Sequence, residues 1–396
     1  MSTKAVILVG GDTRGTRFRP ISLSVPKVLF PAGEKSLLAH AVDAVIAQPN
    51  ISEILLIGFY ENSVFDNFLA QVNREHPDVS VKYLREYKAM GTAGGLYHFR
   101  DQILRGKPKR LFVINADVCS SYPLSELTAK YDESEANGVI LGTRVAKGIA
   151  ANYGAIIADD NGKVLHYVEK PEESVSTLVN GGIYLLDVSV FDVIAQAKRV
   201  HGDEHAGNLD DEDDDEDKLS LEQDVLPVLA DTGKLFVYQT EAFWRQVKEA
   251  HSALVANLLY LEDSGAKNAV WVDPSAKIDP SAKLGPNVTI CEGAKVGPGA
   301  RIRDAVILPR AEIRANAVVI NAIVCSGSRI GRWARVEGSP ISVSSYESTV
   351  VKDGVKVPRV AIVAHDVAVA DEVHLQNSVV LPHKDIRNDV RNEIVM

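Results

Sequence analysis

The loop Gly10-Gly11-Asp12-Thr13-Arg14-Gly15-Thr16-Arg17-Phe18-Arg19-Pro20 follows the apolar run Ala5–Val9 directly and leads on to Val25-Pro26-Lys27. Backbone N–H groups of glycines at a strand end approach an anion closely because no side chain intervenes. Arg17 and Arg19 carry guanidinium forks that pair with phosphate, and Lys27 adds a point charge. The stretch reads as a phosphate cradle, although a tight strand-to-helix turn with surface bases has the same composition. A second candidate is Gly91-Thr92-Ala93-Gly94, which opens a helix whose free N–H groups and small side chains admit a flat base, or simply starts a helix. A third is Asn115-Ala116-Asp117, where a strand-end carboxylate either holds Mg²⁺ against phosphates or forms a turn.

Elements must bring these residues together. From Lys4 to about Thr240, apolar runs (Ala5–Gly10, Glu53–Tyr60, Leu111–Asp117, Gly138–Val145, Gly182–Asp187, Leu235–Thr240) alternate with amphipathic stretches such as 36–48 and 94–104. That alternation marks βαβ units on a mixed, mostly parallel sheet, a Rossmann-like α/β domain. Ligands of such sheets sit outside the carboxyl ends of the strands, where Gly10-Gly11 and Asp117 both fall.

The chain of 396 residues exceeds what one core serves, so two domains are expected. Its formal charge of −10 is local: Asp203, Glu204 and the unbroken run Asp210–Asp217 account for all of it. Without a basic face, a nucleic-acid partner is not expected. Eight consecutive acids cannot pack, so 203–217 is expected to be a mobile loop. Cys119, Cys291 and Cys325 make neither a disulfide framework nor a zinc pattern. The first apolar run is too short for a signal peptide or membrane span, and a soluble, cytoplasmic protein is expected.

Beyond about Ala269 a six-residue period takes over, with Val272, Ile278, Leu284, Ile290, Val296 and Ile302 in register. It resumes at Val324, Ile330 and Val336, and again at Val363, Val369, Leu375 and Leu381. One aliphatic per hexapeptide is the pattern of a parallel β-helix, left-handed in the hexapeptide class, and 339–358 must leave it as an inserted loop. The domains are drawn as 1–240, a helical linker 241–268 beginning in the helix-like stretch from Phe243, and 269–396.

The order GG…GTRFRP…PK, GTAGGL, NADV, NYG, VEKP, NGGIY and FW, followed by hexapeptides, resembles the sugar-1-phosphate nucleotidyltransferases, specifically the mannose-1-phosphate guanylyltransferases. The spellings LFPAGEKS, NADVCS, GRWARVEG and SVVLPHK look closest to the eukaryotic alpha-type subunit, the regulatory partner of a catalytic beta-type subunit. The resemblance implies nucleotide binding by Gly10, Gly11, Gly91, Thr92, Ala93, Asn115 and Asp117. It implies a sugar pocket of Gly154, beside Tyr153, with Glu169, Lys170 and Asn180, and residual catalytic roles for Arg17 and Lys27.

Two departures bear on activity. Relatives that catalyse have one residue between the first Gly-Gly and Gly-Thr-Arg, whereas Asp12-Thr13-Arg14 makes this cradle two residues longer. They also carry Asp, then Gly two residues on, where this chain has Gln246 and Lys248. The resemblance therefore implies Mg²⁺ on Asp117 with its second ligand position held by Gln246, a weak or lost metal site. The expected function is a GDP-mannose-binding regulatory subunit that assembles into homo- and hetero-oligomers with the beta-type subunit. The alternative is an active enzyme making GDP-mannose from GTP and mannose-1-phosphate. A third class, acyl transfer with His365, His374 or His383 as base, lacks any pantetheine-binding feature and is set aside.

Overall fold

The computed structural model describes residues 2–11, 16–205, 218–352 and 354–396. Contacts divide the chain into two compact units, Met1–Arg14 with His40–Trp244, and Gly15–Ala39 with Arg245–Met396. The extended loop around Asp12-Thr13-Arg14 and the acidic run Asp210–Asp217 lie outside the described residues.

The β-branched runs of the first unit form one nine-stranded sheet. Its strands are β1 (Thr3–Gly11), β2 (Ile51–Phe59), β3 (Ser80–Arg85), β4 (Arg110–Asn115), β5 (Gly138–Arg144), β6 (Ala155–Ala158), β7 (Val164–Val168), β8 (Leu178–Asp187) and β9 (Leu235–Gln239). They lie in the order β7-β6-β8-β4-β1-β2-β3, with β5 on β8 and β9 on β5. From β4 through β1 and β2 to β3 the pairing is parallel; β8 runs antiparallel to β4, β5 and β6. The sheet is therefore mixed, as the alternation of runs implies. Helices Asp66–Glu75, Leu124–Glu133 and Val190–His205 separate the strands. The last helix carries through Asp203 and Glu204, residues that sequence reasoning assigned to a loop.

Central strands read as unbroken apolar runs because both faces are covered. Val6, Ile7, Val113 and Ile114 are all buried. The exception within β1 is Lys4, which is also buried and whose Nζ lies 2.6 Å from Glu53 Oε2 while Lys82 takes the other oxygen at 2.7 Å. Burial would raise the Glu53 carboxyl, but the two ammonium groups hold it below its ordinary value.

The second unit is the parallel β-helix. Ladders run Lys277–Lys295–Glu312–Arg329, and the inward aliphatics Ile290, Val296, Ile302, Ile313, Val324, Ile330 and Val336 share one core. After the first coils, three turns contain a five-residue step, from Ile302 to Ile307, Val319 to Val324 and Leu375 to Val380. That step corrects one expectation: Val380, not Leu381, is the buried residue of its coil. Ladder pairing continues across the insertion, Ala322 with Ala361, and the insertion forms a hairpin of Thr349–Lys352 with Val355–Pro358. Its base is held by Arg245, whose guanidinium donates to the carbonyls of Val343 and Ser345 and stacks 3.5 Å from the centroid of Tyr346.

The stretch from Phe243 is not helical throughout. Trp244–Gln246 is a strand, and the helix spans Ala250–Asp263. Ser252 decides the start, because its Oγ accepts from the Lys248 and Glu249 N–H groups. The helix is built into the second unit through Asn257, which is fully buried and bonds Gly33, Asn287 and Thr289.

Candidate functional site

Strand pairing brings the first unit's candidates to one end of the sheet. β1 ends in Gly10-Gly11 and β4 in Asn115, with Leu8 opposite Asn115 and the Ala116 N–H donating to the Leu8 carbonyl at 3.0 Å. Gly10 sits at φ 71°, in the left-handed region that favours glycine, and among the described residues nothing stands within 4 Å of where a Cβ would be. Asp117 follows in the turn before the strand Val118–Ser120 and is half-buried.

Gly91-Thr92-Ala93 does open a helix, Gly91–His98. Two of its N–H groups are taken, however. Ala93 and Gly94 donate to the Leu219 carbonyl at 3.0 and 3.3 Å, and Leu219 N–H returns to the Met90 carbonyl. Gly91 has φ 80°, and a Cβ there would stand 2.3 Å from the Leu219 oxygen, so only glycine admits this strap. The Thr92 hydroxyl is also engaged: it accepts from Leu221 N–H and donates to Glu222 Oε2, both at 2.7 Å.

Glu222 is the residue that sequence reasoning missed. It lies in a π-helical turn, Leu221–Val225. The signal available was the Ser220-x-Glu222 spacing, in which the Ser220 side chain accepts from Glu222 N–H and donates to its carboxylate at 2.9 Å.

From Glu222 a chain of hydrogen bonds crosses to the other candidates. Tyr184 donates to Glu222 Oε1 at 3.1 Å, and Tyr167 donates to Glu169 Oε2 at 2.9 Å. Both hydroxyls accept from the Asn180 amide nitrogen at 2.9 Å. Gly182 N–H donates to Asn180 Oδ1 at 2.8 Å, which fixes the amide's orientation. Every proton in the chain is thereby assigned: a backbone donor orients the amide, the amide faces both phenols, and each phenol has one proton for one carboxylate. Burial, then the neighbouring charges of Glu169 and Glu222, push both phenols far above their ordinary range, so they remain donors.

Asn180 is thus buried with both amide ends engaged, a wall-building residue in this state rather than an open amide. Glu169 presents its second oxygen to Lys170 Nζ at 2.7 Å, and the Lys170 side chain is 62% exposed. Gly154 lies under both, its carbonyl accepting from Asn180 N–H at 2.8 Å. A Cβ on Gly154 would stand 2.0 Å from the Tyr167 hydroxyl and 2.7 Å from Glu169 Oε2. Trp244 closes this side by donating from its indole to the Gly181 carbonyl at 2.9 Å and meeting Tyr153 edge-on.

The remaining candidates belong to the second unit. Arg17 is exposed in a short helical turn, Thr16–Phe18, and Lys27 begins another, Lys27–Leu29. Gln246 ends its strand half-buried, and Lys248 precedes the Ala250–Asp263 helix. No helix among the described residues is long and apolar enough to cross a membrane.

The profile of the nucleotidyl transferase family matches residues 4–260, and that of the GMPPB C-terminal domain matches 266–395. A Schizosaccharomyces pombe protein named "Probable mannose-1-phosphate guanyltransferase" is 43% identical over 414 residues, all of both chains. The chain belongs to the mannose-1-phosphate guanylyltransferase family. Danio rerio mannose-1-phosphate guanylyltransferase regulatory subunit alpha-A is 43% identical, covering 99% of this chain and 100% of its own. The Xenopus tropicalis regulatory subunit alpha is 42% identical over the same shares. A Bacillus anthracis structure assigned as a glucose-1-phosphate thymidylyltransferase is similar at TM-score 0.53 and 24% identity, over 65% of this chain and 95% of that one. That likeness speaks for the fold alone.

Proposed function

We propose that this member of the guanylyltransferase family is a regulatory, alpha-type subunit that binds GDP-mannose and acts on a catalytic beta-type subunit. The observation that carries the reading is a pairing. The wall from Thr92 through Glu222, Tyr184, Asn180 and Tyr167 to Glu169 is fully hydrogen-bonded, while Gln246 and Lys248 stand where the resemblance calls for Asp and Gly.

In this reading Gly10, Gly11 and Asn115 face the nucleotide's phosphates at the strand ends, and the Gly91-Thr92-Ala93 turn flanks the base. Glu169 grips hexose hydroxyls with Lys170 near the sugar's phosphate; Gly154 and Asn180 hold that carboxylate in place. Mg²⁺, when bound in catalytic relatives, neutralises phosphate charge. By the resemblance, the ion's carboxylate ligands fall at 117 and 246; this chain keeps Asp117 but has the neutral amide of Gln246 at the second position, a donor set poorer in charge than Mg²⁺ takes. Lys248 can instead face the pyrophosphate of a bound nucleotide sugar. The partner reading follows the alpha-subunit relatives and the β-helix, whose coil ends and faces stack with other chains.

The test runs two assays on the isolated chain. GDP-mannose should raise its melting temperature more than UDP-glucose or ADP-glucose does, since a ligand of the native state stabilises it by mass action. Pyrophosphate release from GTP and mannose-1-phosphate should be near background. Robust turnover that Asp117→Ala abolishes would establish the active enzyme instead, and no response to GDP-mannose would overturn the binding role.

A further inference from the structure

The β-helix turns its corners with residues in the left-handed region, and one column of equivalent corners contains Gly293, Arg310, Gly327, Asp366 and His383 at φ 64°, 60°, 73°, 53° and 59°. Neighbouring coils stand one strand spacing apart, so side chains at equivalent corners are neighbours. At most corners of this column such neighbours have no shared chemistry. Between Asp366 and His383 they do.

His365 precedes the first of these corners, and its carbonyl accepts from His383 N–H at 3.2 Å. The two imidazoles meet edge to face with centroids 4.7 Å apart, and His383 Nδ1 lies 3.7 Å from Asp366 Oδ2. One ligand-type atom from each of His365, Asp366 and His383 falls within 4.8 Å of the others. Gly327 makes the approach feasible, since the Asp366 carboxylate packs against the coil below where a Cβ would be 2.3 Å from Oδ1. His365 Nδ1 is shut off from solvent with no hydrogen-bond partner among the described residues, a binding capacity the fold leaves unused.

We propose that His365, Asp366 and His383 form a binding site for a borderline divalent cation of the zinc class. Two imidazoles and one carboxylate suit zinc, cobalt, nickel or copper and not magnesium or calcium, which take oxygen ligands. Tetrahedral zinc ligands stand about 3.3 Å apart, so the three groups, all within 4.8 Å of one another, must close by up to about 1.5 Å. Asp366 and His383 side chains are 59% and 68% exposed and can turn to do so. A cation there links the 366 and 383 corners across two coils, and one or more of its positions stays open to water or to a ligand from another chain. The cysteines do not compete: all three are buried, and burial pushes the Cys291 and Cys325 thiols up to about 12. The site belongs to the β-helix and does not depend on the nucleotide-sugar reading.

The experiment is calorimetric titration of tag-free, chelator-treated full-length protein with ZnCl₂, and separately with MgCl₂. One equivalent of zinc should bind with micromolar or tighter affinity, magnesium should not, and zinc should raise the melting temperature. Binding should weaken at least tenfold in His365→Asn and in His383→Asn, asparagine being chosen because at 383 it tolerates the left-handed corner. It should also weaken from pH 8 to pH 5.5, because histidine ligands must be deprotonated. His374→Ala, whose ring meets Glu337 instead, should leave binding unchanged and serves as the control. Circular dichroism establishes that each variant is folded. Absence of a saturable equivalent in wild type, or full binding by a folded His365→Asn/His383→Asn double variant, would overturn the proposal.

Discussion

Asn180→Asp is the sharpest probe of the hydrogen-bond chain because it changes one atom type and almost no volume. Oδ1 still accepts from Gly182 N–H, so the side chain keeps its place. The two donations to Tyr167 and Tyr184 disappear, and a third carboxylate enters a buried site beside phenols committed to Glu169 and Glu222. A protonated carboxyl at position 180 can restore one of the two bonds, so at low pH the loss is one hydrogen bond, about 1 kcal/mol. Above that, ionisation next to burial and like charge is opposed, and the folded-state pKa of the new carboxyl rises above its unfolded value near ~3.9. A raised folded pKa means that stability is lost as pH climbs from the unfolded value to the folded one, by up to about 1.4 kcal/mol per unit. With both bonds gone and the ionisation penalty added, the total at pH 8 should exceed about 3 kcal/mol. Urea unfolding of variant and wild type at steps from pH 5 to pH 8 measures the difference directly. A difference below about 0.5 kcal/mol that does not vary with pH would refute both the proton assignment and the burial argument.

Gly154→Ala should destabilise by about 2 kcal/mol, because its methyl meets the buried Tyr167 hydroxyl at 2.0 Å, and should weaken GDP-mannose binding more than GDP binding by calorimetry. His251 is buried in the Ala250–Asp263 helix, and burial, then the charges of Arg245 and Arg359, lower its pKa to about 4. A depressed histidine is neutral in the fold and protonated in the unfolded chain between about pH 4 and 6.5, so wild type should lose up to about 3 kcal/mol over that fall in pH. His251→Leu should lack this slope in pH-stepped urea unfolding. Arg245→Met should release the base of the insertion, with cleavage between 340 and 348 accelerated at least tenfold in limited proteolysis while the melting temperature of the whole chain changes little.

The strand runs, the hexapeptide core and the family motifs were legible because each is written locally. The middle of a strand buried on both faces reads as an apolar run, as Ala5–Val9 in β1 and Leu111–Ile114 in β4 do, and a coil of the β-helix must place an aliphatic at each inward step. The five-residue step escaped for the same reason: a six-residue template accepts Leu381 beside Val380, and only the ladder Ile362–Val379 decides which one faces the core. What no local pattern contained was the destination of each hydrogen bond. Leu219 and Glu222 lie more than a hundred residues from the Gly91 turn, yet they occupy two of its N–H groups and its threonine. Asn180 reads as a ligand amide until Tyr167, Tyr184 and Gly182 are seen to engage both of its ends. Donors and acceptors are a property of residue type, and so belong to the sequence; whether they remain open to a ligand is a property of neighbours, which only the tertiary structure supplies.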